Sequence, residues 1–234
     1  MISQNESAIF PLFREEPPPE GQLKQRCFSQ EITVARSRAA GAMAGTGEIR
    51  RLWPAERDMF KAHLLRLDAE TRHQRFGTAV NDRFLENYAT TTFGIGGLVY
   101  ACVEDGQVRG AAELRGIEEI VAHTGEAAFS VEPGWRRRGI GAELFGRLIT
   151  AARNRGIRTL YMTFLPGNHA MRALARHYEA DLDVGPGNVE GVVMTGSATP
   201  FTILDETLDN ARGFATIALS LQRRLWAPGF GLRR

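Results

Sequence analysis

The sequence predicts an α/β (α+β) fold, with a mixed, mostly antiparallel sheet of about seven strands and helices on both faces. The first observation is the order of apolar patterns along the chain: strand, helices, hairpin, strand, helix, strand, helix, hairpin. The second is Asp105-Gly106 between two apolar runs, a strong signal for an antiparallel hairpin. The third is a composition of 43% hydrophobic and 24% charged residues in 234, which is typical of a globular protein.

The chain divides into three predicted segments. Residues 1–45 carry the run Pro17–Pro19 and show no sustained period of a buried face, so we expect a partly disordered N-terminal arm. Residues 46–198 contain the alternating elements and form the predicted domain. Residues 199–234 form a predicted C-terminal helical extension.

The domain begins with a predicted strand and three helices. "GEIRRLW" has a strand pattern, and Pro54 suits the first turn of a helix on which Met59, His63, Leu64 and Leu67 share a helical spacing. Further helices are predicted over "AETRHQRF" and "DRFLENYA".

A hairpin and a third strand follow. The apolar runs place strands at about 97–103 and 107–115 around the Asp105-Gly106 turn. After a turn, "EAAFSVEP" predicts a strand that stops at Pro133, because proline cannot continue a ladder of hydrogen bonds.

The second half alternates helices and strands. "GIGAELFGRLITAARNRG" predicts a helix with an apolar stripe at Ile140, Leu144, Leu148 and Ala151, ended by Gly156. "IRTLYMTFL" predicts a strand, "NHAMRALARHYEA" a helix, and the segments around "GPGN" a closing hairpin.

The tail after the closing hairpin has helical spacing, and its apolar stripe could cover the domain or a partner. It also suggests a homodimer contact. The stripe comprises Leu204, Leu208, Ala211, Ala215, Ala218, Leu219 and Leu225.

Composition excludes several kinds of partner. A net charge of +2 gives no general attraction to nucleic acid, and no apolar run approaches the roughly 18 residues of a membrane span.

The two cysteines, Cys27 and Cys102, are too few and too far apart for a disulfide framework, and no residues group as ligands of a metal. The N-terminus lacks the pattern of a secretory signal, so a cytoplasmic setting is predicted.

The segment "EPGWRRRGIGAEL" between a strand and a helix is a candidate anion site, because glycines there expose backbone N–H groups at the positive end of a helix dipole. A P-loop requires lysine and Ser/Thr after the second glycine, but Gly141 is followed by Ala142 and Glu143. A dinucleotide fingerprint requires a third glycine where Leu144 stands. A nucleic-acid patch would need more basic residues interleaved with aromatics.

A third pattern, Arg/Gln-x-x-Gly-x-Gly/Ala, is met by Arg136, Gly139 and Gly141. Together with "FSVEPGW" before it and Asn168 opening the next helix, this loop resembles that of the GCN5-related N-acetyltransferase (GNAT) superfamily. The resemblance covers roughly residues 47–196 and implies that the loop binds the pyrophosphate of acetyl-CoA.

The resemblance also implies a set of residues that bind acetyl-CoA. The strand would splay from its neighbour and pair its main chain with the pantetheine arm, the loop would hold the pyrophosphate, and a helix-capping asparagine would contact the pantetheine side. These residues are Phe129, Ser130, Val131, Arg136, Arg137, Arg138, Gly139, Ile140, Gly141, Ala142 and Asn168.

Acetyl transfer to an amine requires a general base, because a lysine-like amine has a pKa near about 10.4. Acidic residues near the expected site are Glu113, Glu126 and Glu132. "GEAAFSVEPGWRRRGIG" and the upstream "LDAETRHQRF" resemble bacterial protein lysine acetyltransferases of the Pat type, in which a glutamate at the position of Glu126 is the base. Glu126 is therefore the predicted base and Glu113 the second candidate, unless Glu113 pairs with an arginine across the hairpin.

The general acid departs from the family pattern. Many members have a tyrosine where this chain has Ala175, so Tyr178 or a water is predicted to protonate the leaving thiolate. Cys102 is predicted to be a buried strand residue. Four histidines are predicted to be surface or capping residues rather than catalysts: His63, His73, His169 and His177.

The predicted function is acetyl-CoA-dependent N-acetyl transfer to a primary amine by direct attack in a ternary complex. Resemblance to the Pat-type domain favours a protein lysine as the acceptor, and a small-molecule amine is the other candidate. A non-catalytic sensor of acyl-CoA is the alternative from a different class, and a nucleotide-binding protein is a weaker one.

Overall fold

A computed structural model of the chain describes residues 47–94, 97–116 and 123–226, with residues 216–226 as backbone alone. The predicted arm at 1–45 lies outside these residues. In the described ranges, no helix combines the length and hydrophobicity that a membrane-spanning segment needs. The predicted boundary between residues 198 and 199 stays a prediction.

The described residues form a seven-stranded sheet in the order β1-β2-β3-β4-β5-β7-β6, which confirms the predicted fold class. All neighbouring strands are antiparallel except β4 and β5. The strands are β1 (Glu48–Leu52), β2 (Leu98–Glu104), β3 (Gln107–Arg115), β4 (Thr124–Val131), β5 (Thr159–Phe164), β6 (Asp181–Val184) and β7 (Val189–Met194). The helices are α1 (Arg57–Arg66), α2 (Ala69–Phe76), α3 (Asp82–Thr92), α4 (Ile140–Asn154), α5 (His169–His177) and α6 (Pro200–Trp226).

The β2–β3 hairpin turns at the predicted residues. Asp105 and Gly106 both have positive φ, 50° and 71°, and the closing pair is Glu104 with Gln107. Two consecutive residues with positive φ form the turn whose twist matches that of the adjoining strands. The turn therefore sets the register of the first two residue pairs, and a bulge between Cys102 and Val103 shifts it for the rest of the hairpin.

The sheet has a hydrophobic core on each face. On one face α4 buries Phe145 and Leu148 against the central strands. On the other face α1 and α3 bury Phe60 and Leu85. Cys102 is fully buried in β2, as predicted, and burial, reinforced by the nearby carboxylates, raises the pKa of its thiol to about 11.

Helix α6 packs on the domain with its polar side, so its apolar stripe does not cover the domain over the residues whose side chains are described. Glu206 is buried and accepts hydrogen bonds of 2.8 Å from both Asn154 and Arg155 at the end of α4. Leu204 and Leu208 are 56% and 49% exposed. The stripe is directed outward because the end of α4 offers hydrogen-bond donors rather than apolar surface.

Candidate active site

A cavity of about 1430 Å³ opens between β4 and β5. Only three residue pairs join these two strands, from Thr124 with Thr159 to Glu126 with Tyr161. Beyond Glu126 the strands diverge, so the rest of β4 has ladder partners only on β3. This is the splayed strand that the family resemblance implied.

The cavity brings together most of the predicted site residues, all of which lie in the described part of the chain. Glu113, Arg138 and Tyr178 are outside its lining. The predicted residues that line it are Glu126, Phe129, Ser130, Val131, Arg136, Arg137, Gly139, Ile140, Gly141, Ala142 and Asn168.

The glycine loop presents the start of α4 to this cavity. Gly139 occupies the N-cap with a φ of 80°, and no side chain caps the helix there. A Cβ built on Gly139 or Gly141 would meet no protein atom within 4 Å, so the space beside the backbone is open. Uncapped N–H groups at the positive end of a 15-residue helix suit a phosphate group.

The three arginines of the loop have different surroundings. Arg136 donates to the Thr71 hydroxyl at 2.6 Å and ties the loop to α2. Arg138 lies outside the cavity, with its guanidinium 4.5 Å from the centre of the Trp135 ring. Arg137 has a φ of 60° and lines the cavity. Arg136 therefore shapes the loop, and Arg137 is placed to face an anion.

Glu126 is located at the point where β4 and β5 separate. Its backbone pairs with Arg115 on one side and with Tyr161 on the other. In the described ranges no hydrogen bond or ion pair engages its carboxylate, although Arg75 interacts with it electrostatically. A carboxylate that lines a cavity without a direct partner can accept a proton from a bound substrate.

Glu113 has a different environment. Its side chain is fully buried, accepts a hydrogen bond from Arg75 at 2.8 Å and accepts another from the Tyr88 hydroxyl at 2.6 Å. Burial raises the pKa of Tyr88, and Glu113 adds to this effect. The predicted pairing with an arginine is present, but Arg75 belongs to α2 and not to the hairpin. This geometry favours a structural role for Glu113.

Tyr178 and Asn168 each form a hydrogen bond near the start of a helix, Tyr178 with α4 and Asn168 with α5. The Tyr178 hydroxyl donates to the carbonyl oxygen of Ala142 at 2.6 Å, and its fully buried ring packs against Phe145. Asn168 caps α5 by accepting from the Met171 N–H at 3.1 Å while also lining the cavity. The geometry favours a packing role for Tyr178 rather than the role of general acid.

His63 was wrongly predicted to be a surface or capping residue. It is fully buried between α1 and β4, with Nδ1 3.2 Å from Glu132 Oε1 and Nε2 2.9 Å from Ser130 Oγ. The helical spacing with Leu64 and Leu67 was a signal for its burial. Its partners are 67 and 69 residues away in sequence, so no local pattern could identify them.

Aromatic side chains of α2 and α3 line one end of the cavity. Phe76 lies edge-on to Phe84 and Tyr88, at 5.4 and 5.1 Å between ring centroids. The Arg115 guanidinium lies 5.0 Å from the Tyr88 ring centroid. This end offers apolar surface and positive charge beside Glu126.

No group of three or more His, Cys, Asp and Glu side chains in the described residues could hold a metal ion. The Acetyltransferase (GNAT) family model matches residues 62–178, which is half of the chain. No curated protein matches the sequence.

Solved structures show the same fold. The GNAT domain of S. lividans PAT aligns with a TM-score of 0.54 and 18% identity, over 62% of this chain and 89% of that domain. An N-acetyltransferase from Staphylococcus aureus Mu50 aligns with a TM-score of 0.52 and 18% identity, over 65% of this chain and all of that one.

Proposed function

The chain belongs to the acetyltransferase (GNAT) family, and we propose that it transfers the acetyl group of acetyl-CoA to a primary amine by direct attack in a ternary complex. One observation carries this proposal. The separation of β4 from β5 leaves an open strand edge, with Glu126 where the strands part and the glycine loop at the far end.

We propose that acetyl-CoA extends along this open edge. On the side of β4 that lacks a strand partner, main-chain groups of the segment Phe129, Ser130 and Val131 bond to the amides of its pantetheine arm, as a neighbouring strand would. The Val131 carbonyl oxygen already accepts from Arg136 Nε at 3.2 Å and is not one of these groups. The pyrophosphate sits on the backbone N–H groups from Arg137 to Ala142. Asn168 contacts the arm from the other side of the cavity, and Arg136 and Arg138 act by fixing the loop.

Glu126 is the proposed general base. A primary amine is mostly protonated near neutral pH, because its pKa is about 10.4. The carboxylate takes a proton from the amine, directly or through a water, and the neutral nitrogen then attacks the thioester carbonyl. The free N–H groups of β4 stabilise the negative charge that develops on the carbonyl oxygen. Glu113 is the weaker candidate, since two donors already engage its carboxylate.

The proton for the CoA thiolate comes from a water or from the ammonium group formed on attack. Tyr178 stays the predicted side-chain acid, but its hydroxyl already donates to Ala142 and its ring is buried. A tyrosine that acts as an acid must point its hydroxyl toward the leaving group. The proposed mechanism therefore does not depend on Tyr178.

The proposed acceptor is a protein lysine or a small-molecule amine that enters past Phe76, Phe84 and Tyr88. These rings can pack against the aliphatic part of an amine. The pattern "GEAAFSVEPGW" supports a protein lysine. The cytoplasmic location and the homodimer stay predictions.

The decisive experiment combines acetyl-CoA binding with an acceptor screen. We expect calorimetry to detect binding, and CoA release to be stimulated by at least one member of a panel of amines, polyamines, amino acids and lysine peptides. Glu126→Gln should bind acetyl-CoA normally and lose turnover by about 10²–10⁴-fold.

Unchanged turnover in Glu126→Gln across pH would remove this residue from the mechanism. Absence of acetyl-CoA binding would overturn the proposed function as a whole. Binding without amine-dependent release would support the alternative, a non-catalytic acyl-CoA sensor.

A further inference from the structure

Ser130 of β4, His63 of α1 and Glu132, which follows β4, form a buried chain of side chains beside the cavity. The Nε2 atom of His63 lies 2.9 Å from Ser130 Oγ, and its Nδ1 atom lies 3.2 Å from Glu132 Oε1. His63 is fully buried, and Ser130 is 4% exposed. The proposed amine transfer uses none of these three side chains, apart from the backbone of Ser130.

The direction of the two hydrogen bonds follows from the charge on Glu132. Burial would raise the pKa of this carboxyl, but hydrogen bonds from His63, Arg66 and Arg109 outweigh it and lower the pKa to about 2. A carboxylate only accepts hydrogen bonds, so the proton of a neutral His63 is on Nδ1. Nε2 then carries a lone pair and accepts the hydroxyl proton of Ser130.

The glutamate is itself held in place. Arg66 donates to Glu132 Oε1 at 3.0 Å, and Arg109 donates to Oε2 at 3.1 Å. Both carboxylate oxygens are therefore fixed, and the imidazole is oriented between Glu132 and Ser130. A nucleophile bonded to a base that a third group orients is the arrangement of serine acyl-transfer enzymes on unrelated folds.

Ser130 belongs to the part of β4 that lacks a partner on the β5 side, and it lines the cavity. Side chains alternate along a strand, so Ser130 and Glu126 share a face. If acetyl-CoA pairs with residues 129–131, as the proposed function requires, its thioester lies along β4 between Ser130 and Glu126.

We propose that Ser130, His63 and Glu132 form a second acyl-transfer centre that hydrolyses acetyl-CoA when no amine is bound. Ser130 Oγ attacks the thioester carbonyl carbon while its proton passes to His63 Nε2. The C–S bond breaks, and the thiolate takes that proton and leaves as CoA. Water then attacks the acetyl ester and gives one proton to His63; acetic acid leaves and ionises to acetate in solution, and His63 returns its proton to Ser130 Oγ.

The test measures CoA and acetate by chromatography after the purified chain is mixed with acetyl-CoA and no amine. We expect the wild type to release both products in equal amounts. Ser130→Ala removes the buried hydrogen-bond partner of His63, so its melting temperature should fall by a few degrees. Below its transition it should still bind acetyl-CoA, because residue 130 faces the cofactor through its main chain, but it should release CoA no faster than buffer alone. Ser197→Ala, an exposed serine outside the cavity, is the matched control and should hydrolyse at the wild-type rate.

A second measurement does not depend on the stability of any variant. Wild-type protein quenched in acid during turnover should carry an acetyl group on Ser130, found by mass spectrometry of the digested chain. Binding of acetyl-CoA without hydrolysis, or equal hydrolysis by Ser130→Ala, would overturn this proposal and leave the amine transfer standing. Absence of acetyl-CoA binding would overturn both.

Discussion

Replacing Glu113 with glutamine tests whether this carboxylate stabilises the fold or acts as the base. Glu113 is completely buried, and the side chain of its partner Arg75 is 9% exposed. The glutamine keeps one acceptor oxygen for the two donors and removes the only carboxylate bonded to Arg75 in the described residues, leaving the more distant Glu126 as its counter-charge. Breaking a buried ion pair in this way costs about 3–5 kcal/mol.

For a chain of this length, each kcal/mol lowers the melting temperature by about 2–4 °C. Taking the lower energy, because one hydrogen bond is kept, Glu113→Gln should melt roughly 6–12 °C below the wild type. Turnover measured well below the transition should fall by less than about tenfold, since Glu113 does not line the cavity.

The matched control is Asp82→Asn, which breaks the ion pair with Arg72 on the same helix as Arg75. Asp82 is 70% exposed, so its loss should cost less than about 1 kcal/mol. Differential scanning calorimetry and initial rates at saturating substrate give the two readouts. A normal melting temperature with a hundredfold or greater loss of turnover (about 10²) would refute this reasoning and make Glu113 the base.

Three further predictions test the loop, the buried glutamate and the outer face of α6. Gly141→Val should weaken acetyl-CoA binding by at least about tenfold in calorimetry while leaving the melting temperature unchanged, since the added side chain enters the open space beside the loop. Unaltered affinity would contradict the proposed pyrophosphate site. Glu132→Gln should lower the free energy of unfolding by about 2 kcal/mol in urea at neutral pH. The pKa of Glu132 in the folded chain is about 2, below the ordinary 4.5. The lost free energy of unfolding should therefore be fully present above pH 4.5 and should disappear as the pH falls toward 2. A difference in unfolding free energy that does not change with pH would contradict the lowered pKa of Glu132. Leu204→Gln with Leu208→Gln should change the free energy of unfolding by less than about 0.5 kcal/mol per residue, and light scattering of both proteins tests the predicted homodimer.

Local sequence signals predicted the elements of the fold well. Asp105-Gly106 marked the hairpin, Pro133 followed the end of β4, and Gly156 followed the end of α4. Each of these signals acts within a few residues, through a positive φ or a missing N–H group. The order of the elements then left few ways to arrange the sheet.

The interactions that give site residues their roles were harder to predict, because they join distant parts of the chain. Glu113 meets Arg75 across 38 positions, and His63 meets Ser130 across 67. Helix α6 carries apolar residues on its exposed side, and its orientation depends on donors at the end of α4. Patterns of hydrophobicity contain no information about such pairings.

The separation of β4 and β5 also has a mechanical consequence. The three residue pairs that end at Glu126 join two parts of the sheet, which diverge beyond them. One part consists of the four strands β1 to β4, and the other of the three strands β5, β7 and β6. A small rotation between these two halves would move the glycine loop much more than Glu126, since displacement grows with distance from a pivot. Such a rotation would change the width of the cavity at the proposed pyrophosphate site more than it would change the position of the proposed base.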